Sequence, residues 1–304
     1  MLDQPFLTIV TPTRNRAHLL PRLMQSFVAA EYSGVNIEWL IVDDGSTDDT
    51  QIVVAEFAPY CPVPLRVLYQ PHGGKHRALN MAFREARGQW CAIIDSDDRL
   101  APGGLRAIQE TAEAAETRGS IGAFMAVDVL NRTTQHRFAV DDRCLTYEEL
   151  LNTGPTFDCT LMLRRGAELR VFPEIPSETF LAESALMLSQ DRDSRWLTSN
   201  RSAVLVEYQA DGLSARMLEV RMHSPVGSAR LYRALNGLSL RPVLRARVLA
   251  NFGRFWWHAL LANRRPPWPG RLLCWIAVPV GLPFALFDHW SVHRRRSGKK
   301  PSIG

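Results

Sequence analysis

Short apolar runs alternate with segments of helical periodicity through the first half of the chain. The apolar runs, which predict strands, occupy residues 6–11, 37–42, 65–69 and 90–94. The helical patterns occupy residues 17–30, 48–57, 77–86 and 103–115. This alternation is typical of an α/β fold in which helices cover both faces of a mostly parallel sheet.

The pattern changes after residue 120. Predicted strands at 121–127, 160–163 and 203–208 are then interspersed with a helical segment at 180–188. From Met217 onward the pattern is helical, with amphipathic candidates at 231–235 and 243–261, and a Pro-rich linker at 264–270. We therefore predict an α/β domain over residues 1–215 and a helical, basic C-terminal region over residues 216–304.

Polar residues follow each predicted strand of the first half. They are Thr11, Pro12, Thr13 and Arg14 after the first strand, Asp43 and Asp44 after the second, Lys75 and Arg77 after the third, and Asp95, Ser96 and Asp97 after the fourth. Open α/β sheets bind their ligands beyond the carboxyl ends of the strands. The sequence therefore predicts one binding site to which four loops contribute.

Three carboxylates, Asp95, Asp97 and Asp98, end the fourth apolar run. Like charges at the end of a buried strand repel one another and lose hydration, so they need a counter-charge. A divalent cation with oxygen ligands, Mn²⁺ or Mg²⁺, supplies it, and such ions take further ligands from substrate phosphates. The cluster predicts a metal-dependent enzyme that acts on a phosphorylated, nucleotide-linked substrate.

The other polar residues suit the same substrate, although each also has a plainer interpretation. Asp43 and Asp44 either accept a hydrogen bond from a nucleobase or only form a turn before a helix. Lys75 and Arg77 stand at a predicted helix start, where phosphate binds well, or they form a flexible basic turn. Glu183 is either a general base or an acid favoured by the helix dipole.

Composition and charge limit the other classes of protein. The formal net charge is +5, and lysine occurs only at positions 75, 299 and 300. The five cysteines include no CxxC pair or Cys/His cluster, so neither a disulfide framework nor a zinc site is indicated. The motifs of nucleic-acid-binding modules are missing, which argues against a nucleic-acid partner. The first apolar run is too short for a signal peptide, so we expect a cytoplasmic protein.

An apolar stretch at residues 272–287 has arginines on both sides and contains Pro279 and Pro283. It is shorter than the roughly 20 residues of a spanning helix. Basic residues at both ends would also place one cluster on the wrong side of the membrane for a single span. We expect a bent, interfacial or re-entrant segment that makes the protein peripheral or monotopic on the inner face of the plasma membrane, with a buried core hairpin as the alternative.

In their order along the chain, these motifs resemble the family-2 glycosyltransferases with the GT-A fold. The similar motifs are the first-strand loop at residues 11–16, the nucleotide-binding turn at 43–46 and the DxD metal motif at 95–98. Residues 73–80, 172–183, 207–208 and 211–214 further resemble a bacterial subgroup that builds cell-envelope polysaccharides. The resemblance extends over residues 5–215 and, weakly, to the apolar tail of membrane-associated members.

The resemblance implies a metal-dependent, inverting transferase. It would move a hexosyl or N-acetylhexosaminyl group from a nucleotide-sugar, first of all a UDP-sugar, to a hydroxyl of a glycan or lipid-linked acceptor. Asp44 would read the base beside the backbone of residues 11–13. Asp95 and Asp97 would hold the metal, with Asp97 as the direct ligand, while Lys75 or Arg77 would balance the diphosphate charge.

The resemblance also implies that Glu183 deprotonates the acceptor hydroxyl. Many members of the family have Glu-Asp at this motif, whereas this chain has Glu183 followed by Ser184. If the Asp of those members is the required base, Glu183 is only the neighbour of the catalytic position.

Two other functions remain as alternatives. A nucleotidyltransferase uses a related sheet, but it carries a Gly-rich loop after the first strand, and residues 11–16 contain no glycine. A non-catalytic nucleotide-sugar-binding protein would have lost the metal carboxylates, and all three are present here. A dinucleotide oxidoreductase is disfavoured because no GxGxxG motif follows the first strand.

Overall fold

The structure of the protein, a computed structural model, describes residues 4–32, 34, 36–130, 136–153, 158–166, 170–209, 212 and 214–296. Its strands are β1 Leu7–Thr13, β2 Ile37–Asp43, β3 Leu65–Tyr69, β4 Trp90–Ile93, β5 Arg99–Leu100, β6 Gly122–Met125, β7 Asp128–Val129, β8 Arg143–Thr146, β9 Thr160–Arg164, β10 Arg195–Ser199 and β11 Val204–Val206. Its helices are α1 Leu20–Val28, α2 Thr50–Phe57, α3 Lys75–Glu85, α4 Gly104–Thr117, α5 Tyr147–Thr153, α6 Ser184–Ser189, α7 Met217–His223, α8 Pro225–Leu235, α9 Pro242–Leu261 and α10 Leu272–Arg296, and a short 3-10 helix covers Ala58–Tyr60.

Eight strands form the central sheet in the order β3-β2-β1-β4-β9-β6-β10-β8. The first four neighbours in this order pair in parallel, as do β6 and β10, whereas β9 and β8 run antiparallel to their neighbours. A smaller sheet has the order β5-β11-β7. The prediction of a mostly parallel sheet with flanking helices is confirmed.

The apolar strands are buried because helices pack against the sheet. Every residue of β1, β2 and β4 is buried. On β2, Trp39 stacks on Phe27 of α1 with ring centroids 3.8 Å apart, and its indole N–H donates to Thr11 Oγ1 at 3.0 Å. The indole thus fastens α1 to the sheet and β2 to β1 with one side chain.

The first predicted helix begins later than its pattern suggested, at Leu20. Two backbone N–H groups before it are already used by side chains of another loop. That of Arg16 donates to Thr50 Oγ1 at 2.9 Å, and that of Ala17 donates to Asp48 Oδ2 at 3.2 Å. These long-range bonds hold residues 14–17 in a loop, which a local helical pattern does not reveal.

The short strands β5, β7, β8 and β10 were not predicted. Each of β5 and β7 has two residues, and both pair with β11, far along the chain. β10 pairs with β6 and with β8, which are also distant in sequence. Their extended conformation depends on partners rather than on a local pattern, so the sequence offers little signal for them.

The chain divides into two compact units. The first comprises residues 1–173 and 189–210, and the second comprises residues 174–188 and 211–304. The segment 174–188, which includes Glu183, therefore groups with the C-terminal helices. The predicted domains, 1–215 and 216–304, stay a prediction about domain limits.

The C-terminal apolar stretch is part of one continuous helix, α10. The helix includes Pro279 and Pro283 and packs against α9. By length and composition, one helix among the described residues can cross a membrane, at Leu272–Val292, and 28% of its most apolar stretch is buried. Core helices of soluble proteins meet the same criterion, so it is weak evidence. Lys299 and Lys300 lie outside the described residues.

Candidate active site

The strand register brings the predicted site residues of the first unit to one edge of the sheet. β1 lies between β2 and β4, Thr13 is level with Asp43, and Val10 is level with Ile93. The loops that follow these three strands therefore leave the sheet side by side. This is the edge at which α/β sheets bind their ligands.

The loops after β1 and β2 are joined by side-chain hydrogen bonds. Asn15, which has a positive φ of 53°, donates its backbone N–H to Ser46 Oγ at 2.9 Å. Its side-chain oxygen accepts the backbone N–H of Thr47 at 2.7 Å. Arg14 is exposed beside this junction, whereas Thr11, Pro12 and Thr13 are buried in β1.

Asp43 closes the turn after β2. Its Oδ1 accepts the backbone N–H of Ser46 at 2.9 Å and the Ser46 hydroxyl at 2.6 Å. Its Oδ2 accepts the side-chain amide of Gln51 at 2.9 Å. With three bonds and a 1% exposed side chain, Asp43 gives this turn its shape.

Asp44 holds the loop that leads into α3. Its two carboxylate oxygens lie 2.7–2.8 Å from four groups, namely Gln70 Nε2, His72 Nδ1 and the backbone nitrogens of Gly73 and Gly74. A carboxylate has about four acceptor positions, so these contacts occupy them. Asp44 joins β2 to the glycine loop, and its reading of a base stays a prediction.

The carboxylates after β4 form a charged cluster with Lys75. The Lys75 ammonium lies 2.7 Å from Asp95 Oδ2. Burial, followed by the charge of Asp95, raises the pKa of Asp97 above its ordinary value. Burial and the charges of Asp95 and Asp97 raise the pKa of Asp98 well above its ordinary value. The cluster thus holds more negative charge than its neighbours compensate.

One oxygen of this cluster is open to a cation. Asp95 Oδ1 is buried and has no hydrogen-bond partner among the residues that the structure describes. Within the same residues, no three His, Cys, Asp or Glu side chains converge to hold a metal ion. Mg²⁺ and Mn²⁺ are usually bound by one or two carboxylates together with substrate phosphates, so Asp95 and Asp97 fit such an ion when a diphosphate completes the site.

Two other side chains at this edge are buried. Ser96, between the two aspartates of the motif, is 5% exposed. Thr13 Oγ1, at the end of β1, has no hydrogen-bond partner in the described part of the chain. A buried hydroxyl without a partner costs about 1–3 kcal/mol, so Thr13 offers a donor and an acceptor to a ligand.

Lys75 and Arg77 lie in the first turn of α3, and the same helix contacts Phe172. Asn80, on α3, donates its side-chain amide to the Phe172 carbonyl at 2.9 Å and accepts the Phe172 N–H at 2.8 Å. The His76 ring lies edge-on to the Phe172 ring. Two motifs that are 92 residues apart in sequence are therefore in contact.

Glu183 lies in the second unit, directly before α6. Its carbonyl accepts the backbone N–H of Leu186 at 2.8 Å, and its side chain is partly exposed. The predicted helix at 180–188 is thus present as Ser184–Ser189. The role of Glu183 as general base stays a prediction, and residues Asp211 and Leu213 of the last predicted motif lie outside the described residues.

Several residues of the site were missed by the sequence reasoning. Gln70 and His72 have no apolar or charged pattern that connects them to Asp44. Arg16, to which the sequence analysis gave no role, has a positive charge that opposes the burial and the charge of Asp95, which together raise the pKa of Asp97.

Comparison with known proteins identifies the family of this arrangement. Residues 8–170 match the family described as "Glycosyl transferase family 2". The chain belongs to glycosyl transferase family 2. The matched residues include β1 to β4 and the four loops at the sheet edge.

Curated relatives of the chain match the same part of it. One is a succinoglycan biosynthesis protein, ExoO of Rhizobium meliloti, with 36% identity over 42% of this chain and 34% of the relative. Another is an uncharacterised glycosyltransferase of Nostoc, with 29% identity over 41% of this chain and 37% of the relative. The matches thus span little more than a third of the length of these relatives.

Solved structures of other glycosyltransferases have the same fold. TarS of Staphylococcus aureus, in complex with UDP-GlcNAc, has a TM-score of 0.55 and 18% identity, covering 84% of this chain and 72% of that chain. A mannosyltransferase of Pyrobaculum calidifontis, in complex with GDP-Man and Mn²⁺, has a TM-score of 0.54 and 18% identity, covering 96% and 83%. The GT-A fold is thereby confirmed for this glycosyltransferase.

Proposed function

We propose that this glycosyltransferase moves a sugar, with inversion, from a nucleotide-sugar to an acceptor hydroxyl, in a reaction that depends on a divalent metal. The observation that carries the proposal is the carboxylate cluster after β4. It combines an unpartnered, buried Asp95 oxygen with two aspartates, Asp97 and Asp98, whose pKa values are raised. A nucleotidyltransferase would use the same kind of site, but the chain belongs to glycosyl transferase family 2.

The donor is a nucleoside-diphosphate sugar, and a UDP-sugar is the first candidate. Relatives of this fold bind UDP-GlcNAc and GDP-Man, so the fold accommodates both bases. Asp44 and the backbone of β1 would lie on the base side, while Lys75, released from Asp95, and Arg77 would neutralise the diphosphate. We propose that the transferred sugar is a hexosyl or N-acetylhexosaminyl group, and a screen of nucleotide-sugar donors tests this.

The chemistry divides between the two ends of the reacting bond. A Mn²⁺ or Mg²⁺ ion, held by Asp95 and Asp97, would act as a Lewis acid on the leaving diphosphate. Asp97 would be the direct ligand, and Asp95, which now pairs with Lys75, would complete the carboxylate pair that holds the ion. Glu183 would accept the proton of the acceptor hydroxyl, because a general base must stand on the side opposite the leaving group for inversion.

The acceptor is a glycan or a lipid-linked glycan of the cell envelope, reached at the cytoplasmic face of the membrane. The support is the exposed face of α10. Ile276, Val280, Phe284, Phe287 and Trp290 are each between 48% and 62% exposed. Exposed apolar patches of this kind suit a lipid surface, particularly with tryptophans at the level of the headgroups.

The basic residues at both ends of α10 favour a helix that lies parallel to the membrane surface over one that spans the membrane. Arg271 precedes the helix, and the sequence ends it with three arginines at 294–296. Both ends then face the anionic leaflet, as the positive-inside rule favours. A buried charge, Asp288, lies on the face of α10 that packs against α9, where it pairs with Arg254 and His258, so the lipid would contact the opposite, apolar face.

The proposed reaction is tested with purified protein, Mn²⁺ and a panel of nucleotide-sugars. We expect hydrolysis or transfer from at least one donor, and a loss of at least about a hundredfold in Asp97→Ala. Asp193→Ala, at an exposed acidic position in the same unit, is the control and should retain activity. Unchanged turnover in Asp97→Ala would refute the metal assignment.

A further inference from the structure

A buried carboxylate, Glu178, connects three parts of the second unit. It accepts the backbone N–H groups of Val226 at 2.7 Å and Gly227 at 2.6 Å, in the first turn of α8. Arg264, after the end of α9, donates to the same carboxylate at 3.2 Å. Burial raises the pKa of Glu178, and these three donors oppose that effect. The helix N-terminus and the guanidinium thus offset part of the effect of burial, and the pKa of Glu178 stays above its ordinary value.

The surface of α8 is shaped to receive this segment. A Cβ atom on Gly227 would lie 2.8 Å from Glu178 Oε2 and 3.2 Å from Leu181 Cδ1. Phe180 is fastened to the same helix end, because its backbone N–H donates to the buried Ser224 hydroxyl at 3.1 Å. The absence of a side chain at Gly227 therefore lets residues 178–181 lie directly on α8.

Glu183 lies two positions after residues 178–181, the segment that contacts α8. Leu181 is 8% exposed and lies against Gly227, and only one residue separates it from Glu183. Two residues of chain extend by at most about 7 Å. The backbone of Glu183 is further fixed by its carbonyl, which accepts the Leu186 N–H at the start of α6. The first turn of α8 therefore determines where the Glu183 side chain starts.

We infer that Glu178 is a positioning residue that holds Glu183 in place for acceptor activation. The inference rests on the proposed role of Glu183 as general base. Catalysis is sensitive to such positioning, since a displacement of about 1 Å costs up to a hundredfold in rate. Glu178 itself contacts neither donor nor acceptor in this scheme and acts through the segment 178–183.

A double-mutant cycle tests this role. Glu178→Gln keeps the shape of the side chain, but its amide presents an N–H₂ group to one of the two backbone donors. We expect transfer per bound donor to fall about tenfold or more, with unchanged donor Kd and binding stoichiometry. In a Glu183→Gln background, the same substitution should cause no further loss, because residues that act as one unit are not additive.

The control and the contrary results separate this inference from a purely structural role. Glu174→Gln, at an exposed position in the same segment, should leave activity unchanged. Equal losses for Glu178→Gln in both backgrounds, or a loss of donor-binding sites, would overturn the positioning role. Full transfer in Glu183→Gln alone would refute the proposed base, a separate outcome that the single variant reveals.

A second variant keeps the test decisive if Glu178→Gln does not fold. Arg264→Met leaves both backbone hydrogen bonds to Glu178 in place and removes only the ion pair. We expect a smaller loss of transfer, on the order of a few-fold, that disappears in the Glu183→Gln background. A loss that persists in that background contradicts the inference.

Discussion

At the scale of single residues, the two aspartates after β2 act as connectors of loops. Asp43 accepts two hydrogen bonds from Ser46 in its own turn and one from Gln51 on α2. Asp44 contacts four groups of the loop between β3 and α3. Both side chains are at most 5% exposed. Buried carboxylates are tolerated only when donors surround them, so the loops and the aspartates require each other.

Replacement of Asp44 by Asn should therefore destabilise the protein. The amide nitrogen would face either Gly73 N–H and Gln70 or Gly74 N–H and His72. In both orientations a buried backbone N–H group loses its acceptor. We expect a loss of about 2 kcal/mol or more in the free energy of unfolding. Urea unfolding of the Asp44→Asn variant measures it. Asp49→Asn, at an exposed position nearby, should change stability by less than about 0.5 kcal/mol.

At the scale of elements, helices α9 and α10 pack at unusually close range through two glycines. A Cβ atom on Gly281 would lie 2.0 Å from the Gly253 carbonyl carbon and 2.2 Å from the Arg254 nitrogen. These are backbone atoms, which cannot move aside as a flexible side chain can. The pair of helices is further joined by the Trp257 indole, which donates to the Val278 carbonyl at 2.7 Å.

Because the two helices approach so closely, the sign of the stability change in Gly281→Ala tests their packing. Helix propensity alone would make Gly281→Ala stabilising by about 1 kcal/mol. Because the added methyl group meets backbone, we expect instead a loss of about 3 kcal/mol and a lower Tm. Calorimetry or circular dichroism measures the change. Val280→Ala, at the exposed neighbouring position, is the control, and a stabilised Gly281→Ala protein would contradict the packing.

At the scale of the whole molecule, the chain combines two units with different surfaces. The first unit carries the carboxylates Asp95 and Asp97 at the carboxyl edge of its sheet. The second unit exposes an apolar face on α10. It also includes Glu183, because residues 174–188 group with the C-terminal helices. The residues proposed to bind the nucleotide-sugar donor therefore belong to the first unit, and the proposed base, Glu183, belongs to the second.

The apolar face predicts binding to anionic vesicles. We expect the full chain to sediment with phosphatidylglycerol-containing vesicles and less with phosphatidylcholine alone. The double variant Phe284→Ser/Phe287→Ser should lower the vesicle partition coefficient about a hundredfold or more, since it removes about 1.5–3 kcal/mol of apolar burial per side chain. Tyr60→Ser, which removes a 77% exposed aromatic ring from the first unit, is the matched control. Equal binding by all three proteins would refute the membrane face.

The sequence by itself determined the parallel strands β1 to β4, the helices between them and the loops that carry the site, because these features have local patterns. Its motifs also identified the family through Asp43, Asp95 and Asp97. Only the tertiary structure decided the strands β5, β7, β8 and β10. It also decided the four contacts of the Asp44 carboxylate and the hydrogen bonds that Glu178 accepts from the first turn of α8. Each of these depends on a partner distant in sequence, and a local pattern carries no information about such a partner.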